Sequence, residues 1–304
     1  MHSISDLRSQ QADRAKGRAR AIPGVLAGLC AVLAGQTGVL AGNSDVLAGN
    51  SGVLAGNSDV LAGPAAGEGC RHRVAGEDRL EAVAASGDLV LASGRRARLD
   101  GVRWPEDPAL AAAARAWLAG LTGRRLATRE EPAPDRWERV ILDAATTEGE
   151  PVDLAGGLLT AGLALVDAGE SDRLCRPALL SVEAAARRER RGLWASESPL
   201  PAEDAAGLAA RAGRFVVAEG RVRSVGERRS RTYLNFAPFG EEGLTVTVSK
   251  RTWRILLERG LTAAALRGRR VRARGFVELW RGPTLDVGAA ETIEMLDEER
   301  AQRR

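Results

Sequence analysis

The tetrapeptide VLAG recurs six times at seven-residue intervals, with valines at Val25, Val32, Val39, Val46, Val53 and Val60 and with NSD or NSG between the later copies. A coiled-coil seam needs apolar residues at two positions three or four apart, whereas here Val, Leu and Ala are adjacent and glycine closes every copy. The array is low-complexity sequence without a packed core of its own. Any globular fold must therefore be built after residue 66, from a remainder long enough for one or two domains, two being the better fit.

The residues before the array read as an address. Arg8, Arg14, Lys16, Arg18 and Arg20 precede the uncharged run AIPGVLAGLCAVLAG, Ala21 to Gly35, the pattern of a basic segment before the apolar stretch of an export signal. The uncharged run continues to Ser44, so a retained membrane anchor is the alternative to a periplasmic or secreted protein. Small residues around Pro64, Ala65 and Ala66 suit processing near the end of the array. With Cys30 inside this region, Cys70 and Cys175 remain as a possible pair: a disulfide if the protein is exported, two thiols if it is not.

Charge is informative through its distribution. Only Lys16 and Lys250 are lysines among 44 basic residues, a usage that fits a GC-rich bacterial genome and makes arginine abundance alone uninformative. The net charge is a modest +4, but residues 214–281 hold 16 Lys or Arg against 6 Asp or Glu, a local excess of ten that favours a polyanionic partner.

From Arg79 the texture changes. RLEAVAASGDLVLASGRRARLDGV alternates as strands do, with Ser93 and Gly94 as a turn, so a β-hairpin is expected. Asp107 and Pro108 then form an N-cap and first-turn pair for ALAAAARAWLAGL, a helix ended by Gly123. A strand is expected at RVILDAA, and helices at DLAGGLLTAGLAL and PALLSVEAAARRERRGLW, the last stopping at Gly192 with arginines in its final turns. Strands first and helices after predict a small β-barrel capped by helices, an α+β architecture.

Four motifs then stand in order: SGDL, RLDGVRWPE, DRWER and AAARRERRGLW. In this order and spacing the stretch from about residue 79 to 195 resembles the staphylococcal nuclease (thermonuclease) family, whose members carry a DGDT strand start, an RL.G(I/V)D.PE segment, a D(K/R)YGR loop and a closing GLW helix. The resemblance implies a barrel domain over residues 67–195 that hydrolyses phosphodiester bonds with calcium. It implies Asp88 as a metal carboxylate, Arg98 and Arg139 as the phosphate clamp, and Glu106 as the carboxylate beside the attacking water. Arg136 and Trp137 are the candidates to meet phosphate and base. Such chemistry requires a cation to orient the phosphate, an activated water, and arginines to hold charge developing on the oxygens.

Two positions depart from the family pattern. Where the motif has a second metal-binding aspartate, this chain has Arg103. Exchanging a negative for a positive group about 4 Å from a divalent ion changes the interaction by about 16 kcal/mol at an effective dielectric of about 20. Either Arg103 points away, or the metal is absent, or another acid takes over, Asp107 more easily than Asp100. The second departure is the segment GLALVDAGE, which lacks the tyrosines by which the family holds its nucleotide.

Residues 196–213 are rich in small and acidic residues and read as a linker. Five strand-like segments follow over residues 214–296, with a helix, TWRILLERGL, before the fourth. This segment resembles OB-fold barrels, most clearly in LRGRRVRARGFVE and PTLDV, and residues 297–304 form a charged tail. Arg221, Arg223, Arg231, Arg272 and Arg274 stand at alternate positions, near Tyr233, Phe236 and Trp280. They form either a groove for a single strand or a solvated face with the aromatics in the core. The expected protein acts on, or only binds, single-stranded DNA or RNA; as a noncatalytic polyanion-binding module it would keep the nuclease fold without the reaction.

Overall fold

The computed structural model describes Cys70 and residues 73–169, 171–238 and 240–296. The basic segment, the apolar run, the VLAG array and the charged tail lie outside the described residues. Among the described residues no helix is long and apolar enough to cross a membrane.

The first body is a closed five-strand β-barrel with helices against it. Its strands are β1 (Val74–Val83), β2 (Leu89–Leu91), β3 (Arg96–Leu99), β5 (Arg125–Glu130) and β6 (Val140–Thr146); the two-residue β4 (Val102–Arg103) stands outside. Around the barrel the order is β1-β2-β3-β6-β5, with β5 returning to β1. The β3–β6 pair is parallel and the others are antiparallel. Alternation drives closure: Leu80, Leu89, Leu91, Leu126 and Leu142 point inward with no exposed surface, each worth about 1.5–3 kcal/mol relative to exposure. Helices α1 (Pro108–Ala119), α2 (Leu154–Thr160) and α3 (Ala178–Arg188) extend this core through Leu118, Leu158 and Leu179. Asp107 accepts from Leu110 N at 2.9 Å as the expected cap of α1. Gly157 of α2 is required by packing, since a Cβ there would lie 2.3 Å from the Trp117 ring.

The barrel differs from expectation in its strands. β1 begins at Val74 rather than Arg79, and β5, RLATRE, was not anticipated because its outward positions are charged. The helix expected over residues 153–165 stops at Thr160, and Leu165–Val166 instead form β7, paired with β4. Cys70 and Cys175 form a disulfide, with Cα atoms 5.6 Å apart across 105 residues of sequence. Beside it Arg73 bonds Asp143 (2.8 Å) and Asp100 (2.6 Å), so Asp100 is engaged far from any ligand role.

The stretch expected to be a linker belongs to the second body. Its β8 (Leu200–Pro201) pairs with the following strand, and Ala202 and Leu208, the latter on α4 (Ala205–Ala209), are wholly buried in the second core. Small residues allowed close packing here; they did not mark looseness. The remaining strands are β9 (Phe215–Arg221), β10 (Ser224–Glu227), β11 (Arg231–Asn235), β12 (Thr245–Ser249), β13 (Arg270–Leu279), β14 (Pro283–Val287) and β15 (Glu294–Met295), with helices α5 (Lys250–Glu258) and α6 (Ala263–Leu266) between β12 and β13. The sheet runs β10-β11-β12-β14-β13-β9-β8, with β15 on β13 and a parallel β12–β14 pair. Only Val222 and Arg223 separate β9 from β10; Val222 N donates to Arg269 O, and Arg223 N to Asn235 O. One bent strand thus pairs with β13 and then with β11, curling the sheet around Leu234, Phe236, Val246, Val248 and Val271.

The two bodies are joined by a small apolar cluster of Ala186, Leu193, Trp194 and Val217. They are also joined by a buried ion pair. Arg274 of β13, its side chain 1 % exposed, donates to both Glu183 oxygens at 2.9 and 2.8 Å, and Glu183 accepts Val166 N at 2.6 Å. Arg272 bonds Glu219 and Glu294 (2.8 and 3.1 Å). These two arginines, expected on a groove or a solvated face, are enclosed.

Candidate functional site

The DRWER segment forms a tight loop organised by its first residue. The Asp135 carboxylate accepts from Trp137 N (2.9 Å), Arg139 N (3.0 Å), and Arg139 Nε and Nη2 (2.9 and 2.7 Å). Glu138 takes up the reversal at φ 60°, a left-handed conformation uncommon outside glycine. Held this way, the Trp137 ring is 54 % exposed instead of filling the barrel. Arg136 and Arg139 stack on it, their guanidinium carbons 4.1 and 4.9 Å from the ring centre.

Beside this loop opens a cleft of about 610 Å³, within the range of ligand-binding sites. It is lined by Arg98, Arg136, Trp137 and Arg139 from the first barrel and by Phe276, Glu278 and Asp286 from the second. Arg98 projects from β3 and is half-buried, and no hydrogen bond or ion pair engages it among the described residues. The cleft's other two arginines are neutralised: Arg274 by Glu183, and Arg103 by Asp167 (Nε to Oδ2 2.8 Å, Nη2 to Oδ2 2.7 Å). Arg139 is likewise held by Asp88 and Asp135, so the positive charge that no carboxylate engages among the described residues is that of Arg98.

The carboxylates that resemblance placed at a metal do not gather there. Asp88 is 3 % exposed, and both of its oxygens are used: Oδ1 accepts from Arg139 Nη1 (3.0 Å), and Oδ2 from Ser86 Oγ (2.9 Å) and from Arg96. Gly87 sets its approach, because φ 88° and a Trp104 ring 2.4 Å from an ideal Cβ leave room only for glycine. Glu106 lies outside the cleft, accepting Phe215 N at 3.3 Å and facing Arg214 at 3.3 Å. Asp107 caps α1. Arg103 stands where the second metal carboxylate was expected, flanked by the Phe215 and Phe276 rings at 4.9 and 4.5 Å.

A calcium ion takes about six to eight oxygen ligands, several of them carboxylate. These residues do not fit one: a guanidinium occupies one ligand position, Asp88 is saturated by arginines, and Glu106 faces another direction. Among the described residues no group of three His, Cys, Asp or Glu is placed to hold a metal.

Of the residues expected at the site, Arg98, Arg136, Trp137 and Arg139 meet in one cleft, while Asp88 lies beneath it, and Glu106 and Asp107 lie elsewhere. Three contributors were not singled out from sequence. Asp135, two residues before Trp137, carries the signature of an Asx turn and was legible. Asp167 and Glu278 meet the site from 64 residues beyond Arg103 and 141 beyond Trp137, for which sequence gives no local sign. Compared with known proteins, the chain matches no family model and no curated protein.

Proposed function

We propose that the protein binds single-stranded nucleic acid in the cleft between two OB-type barrels and does not hydrolyse it. The OB assignment is supported by strand order: each body has five main strands whose third and fifth run parallel, with helix between the third and fourth. The observation that carries the functional reading is that Arg98, engaged by no carboxylate among the described residues, and the exposed Trp137 ring line one cleft. Arg98 supplies a phosphate contact, and the indole supplies a face on which a base stacks whatever its identity. Hydrolysis of the thermonuclease type needs carboxylates that here are engaged by Arg139, Arg96 and Arg214. The Cys70–Cys175 disulfide favours an oxidising compartment, in keeping with the basic and apolar start of the chain.

The test is fluorescence anisotropy with labelled single-stranded DNA and RNA about a dozen nucleotides long, alongside incubation of the same oligonucleotides with calcium or chelator. Binding should weaken steeply between about 50 and about 200 mM salt. Trp137→Ala should cost about 1–3 kcal/mol of binding, and Arg98→Ala should flatten the salt slope by about one. Absence of binding at low salt, or chelator-sensitive cleavage by the wild type that Glu106→Gln abolishes, would overturn the proposal.

A further inference from the structure

The cleft is polarised. Besides Arg98 and Trp137 of the first barrel, it is lined by two carboxylates of the second, Glu278 on β13 and Asp286 on β14. Glu278 pairs in register with Thr284, two residues from Asp286, which makes the carboxylates diagonal neighbours on the outward sheet face. Glu278 is exposed and has no hydrogen bond or ion pair among the described residues. Asp286 accepts from Thr247 Oγ1 (3.0 Å) and from Arg231, both through Oδ1, so Oδ2 has no hydrogen bond among the described residues. A surface built only to attract phosphate would not place Glu278, a carboxylate without an ion pair among the described residues, in the same cleft as Arg98, since a second anion there is repelled.

Resting on the reading of the cleft as a single-strand site, we infer that Glu278, with Asp286 beside it, selects bases that carry an exocyclic amino group, cytosine over uracil or thymine. A phosphate held by Arg98 with its base stacked on Trp137 brings the base edge into the cleft that Glu278 also lines. Cytosine presents there an N4 amino donor, which a carboxylate accepts; uracil and thymine present the O4 oxygen, which a carboxylate repels. Arg98 sets affinity and the carboxylates set base preference.

Competition anisotropy with oligodeoxycytidine and oligodeoxyuridine of equal length, at neutral pH and fixed salt, compares the N4 amino group with the O4 oxygen, N3 changing from acceptor to N–H donor with it. The wild type should bind the cytidine strand about tenfold more tightly. In Glu278→Gln, whose amide also donates, the preference should fall toward unity; in Glu278→Arg both strands should bind more tightly and the preference should vanish. Equal or tighter binding of the uridine strand by the wild type, or an unchanged preference in Glu278→Gln, overturns the inference while the single-strand reading stands. Failure of either strand to bind overturns both.

Discussion

Two motif loops of the first barrel, both rich in charge, have opposite fates. The DRWER loop holds Trp137 and its arginines toward an open cleft, while the RWPE loop, Arg103 to Glu106, is consumed by contacts with the second barrel. Arg103 lies on Asp167 and between two phenylalanine rings, and Glu106 binds the first residues of β9. The comparison teaches that a charged motif carries no chemistry until its partners are known. A guanidinium with a carboxylate and two rings is a fastening; one that has none, as Arg98 does, is available to an incoming anion. Changes in the seam between the barrels should therefore alter stability and leave affinity, and changes in the cleft should do the reverse.

The largest effect expected is from Glu183→Ala. Its removal leaves Arg274, buried between the barrels, with Glu294 as its remaining carboxylate and strips Val166 N of its acceptor, and breaking an enclosed pair from one side costs about 3 kcal/mol. Urea denaturation should show the loss, and a Glu183→Leu, Arg274→Met double variant should recover much of it. A single variant as stable as the wild type would mean that the seam is not fastened at this pair.

Reduction of the Cys70–Cys175 disulfide should come next, at about 2–4 kcal/mol for a loop this long, read from the urea midpoint with and without reductant. The bridge lies beside Arg73 and Arg176, not at either loop. Single-strand affinity measured well below the midpoint should therefore not change. A parallel fall in affinity would couple the cleft to the far side of the barrel and weaken the division between seam and cleft.

Arg103→Ala sharpens the same division at the centre of the resemblance. It removes a hydrogen bond and ion pair to Asp167 and two ring contacts, and should lower stability by about 1–2 kcal/mol. Combined with Asp167→Asn, so that no carboxylate is unmasked in the cleft, it should leave affinity for a single strand within about twofold. A loss as large as that expected for Trp137→Ala would place Arg103 among the ligand contacts.

How much of this was legible in the sequence follows from distance along the chain. The hairpin around Ser93 and Gly94, the Asp107 cap, the helical positions of Leu118 and Leu179 and the five strands of the second body are local patterns, and each was readable. β5 was hidden by its own outward charges, and β8 and α4 by the small residues that let them pack. The cleft was half legible: Arg98, Arg136, Trp137 and Arg139 sit in motifs whose order was visible. The fate of Arg103 depends on Asp167, Phe215 and Phe276, between 64 and 173 residues away, and nothing near Arg103 announces them.

The smallest effect expected concerns the hub of the cleft loop. Burial opposes charge on Asp135, but hydrogen bonds from the Arg139 side chain and from the Arg139 and Trp137 amides outweigh it and hold the carboxyl below its usual range. A carboxyl lowered in the folded state contributes stability that is present above its unfolded value, about 4, and lost as pH falls through the folded one. The stability difference between wild type and Asp135→Asn should therefore be constant from neutral pH down to about 5 and shrink below that, as the wild type loses the charge its variant never had. Urea midpoints of both proteins across this range provide the measurement. A difference that persists undiminished into acid would mean that the loop is held by its backbone, with Glu138 in its left-handed conformation, and that the charge of Asp135 is incidental to how Trp137 is presented.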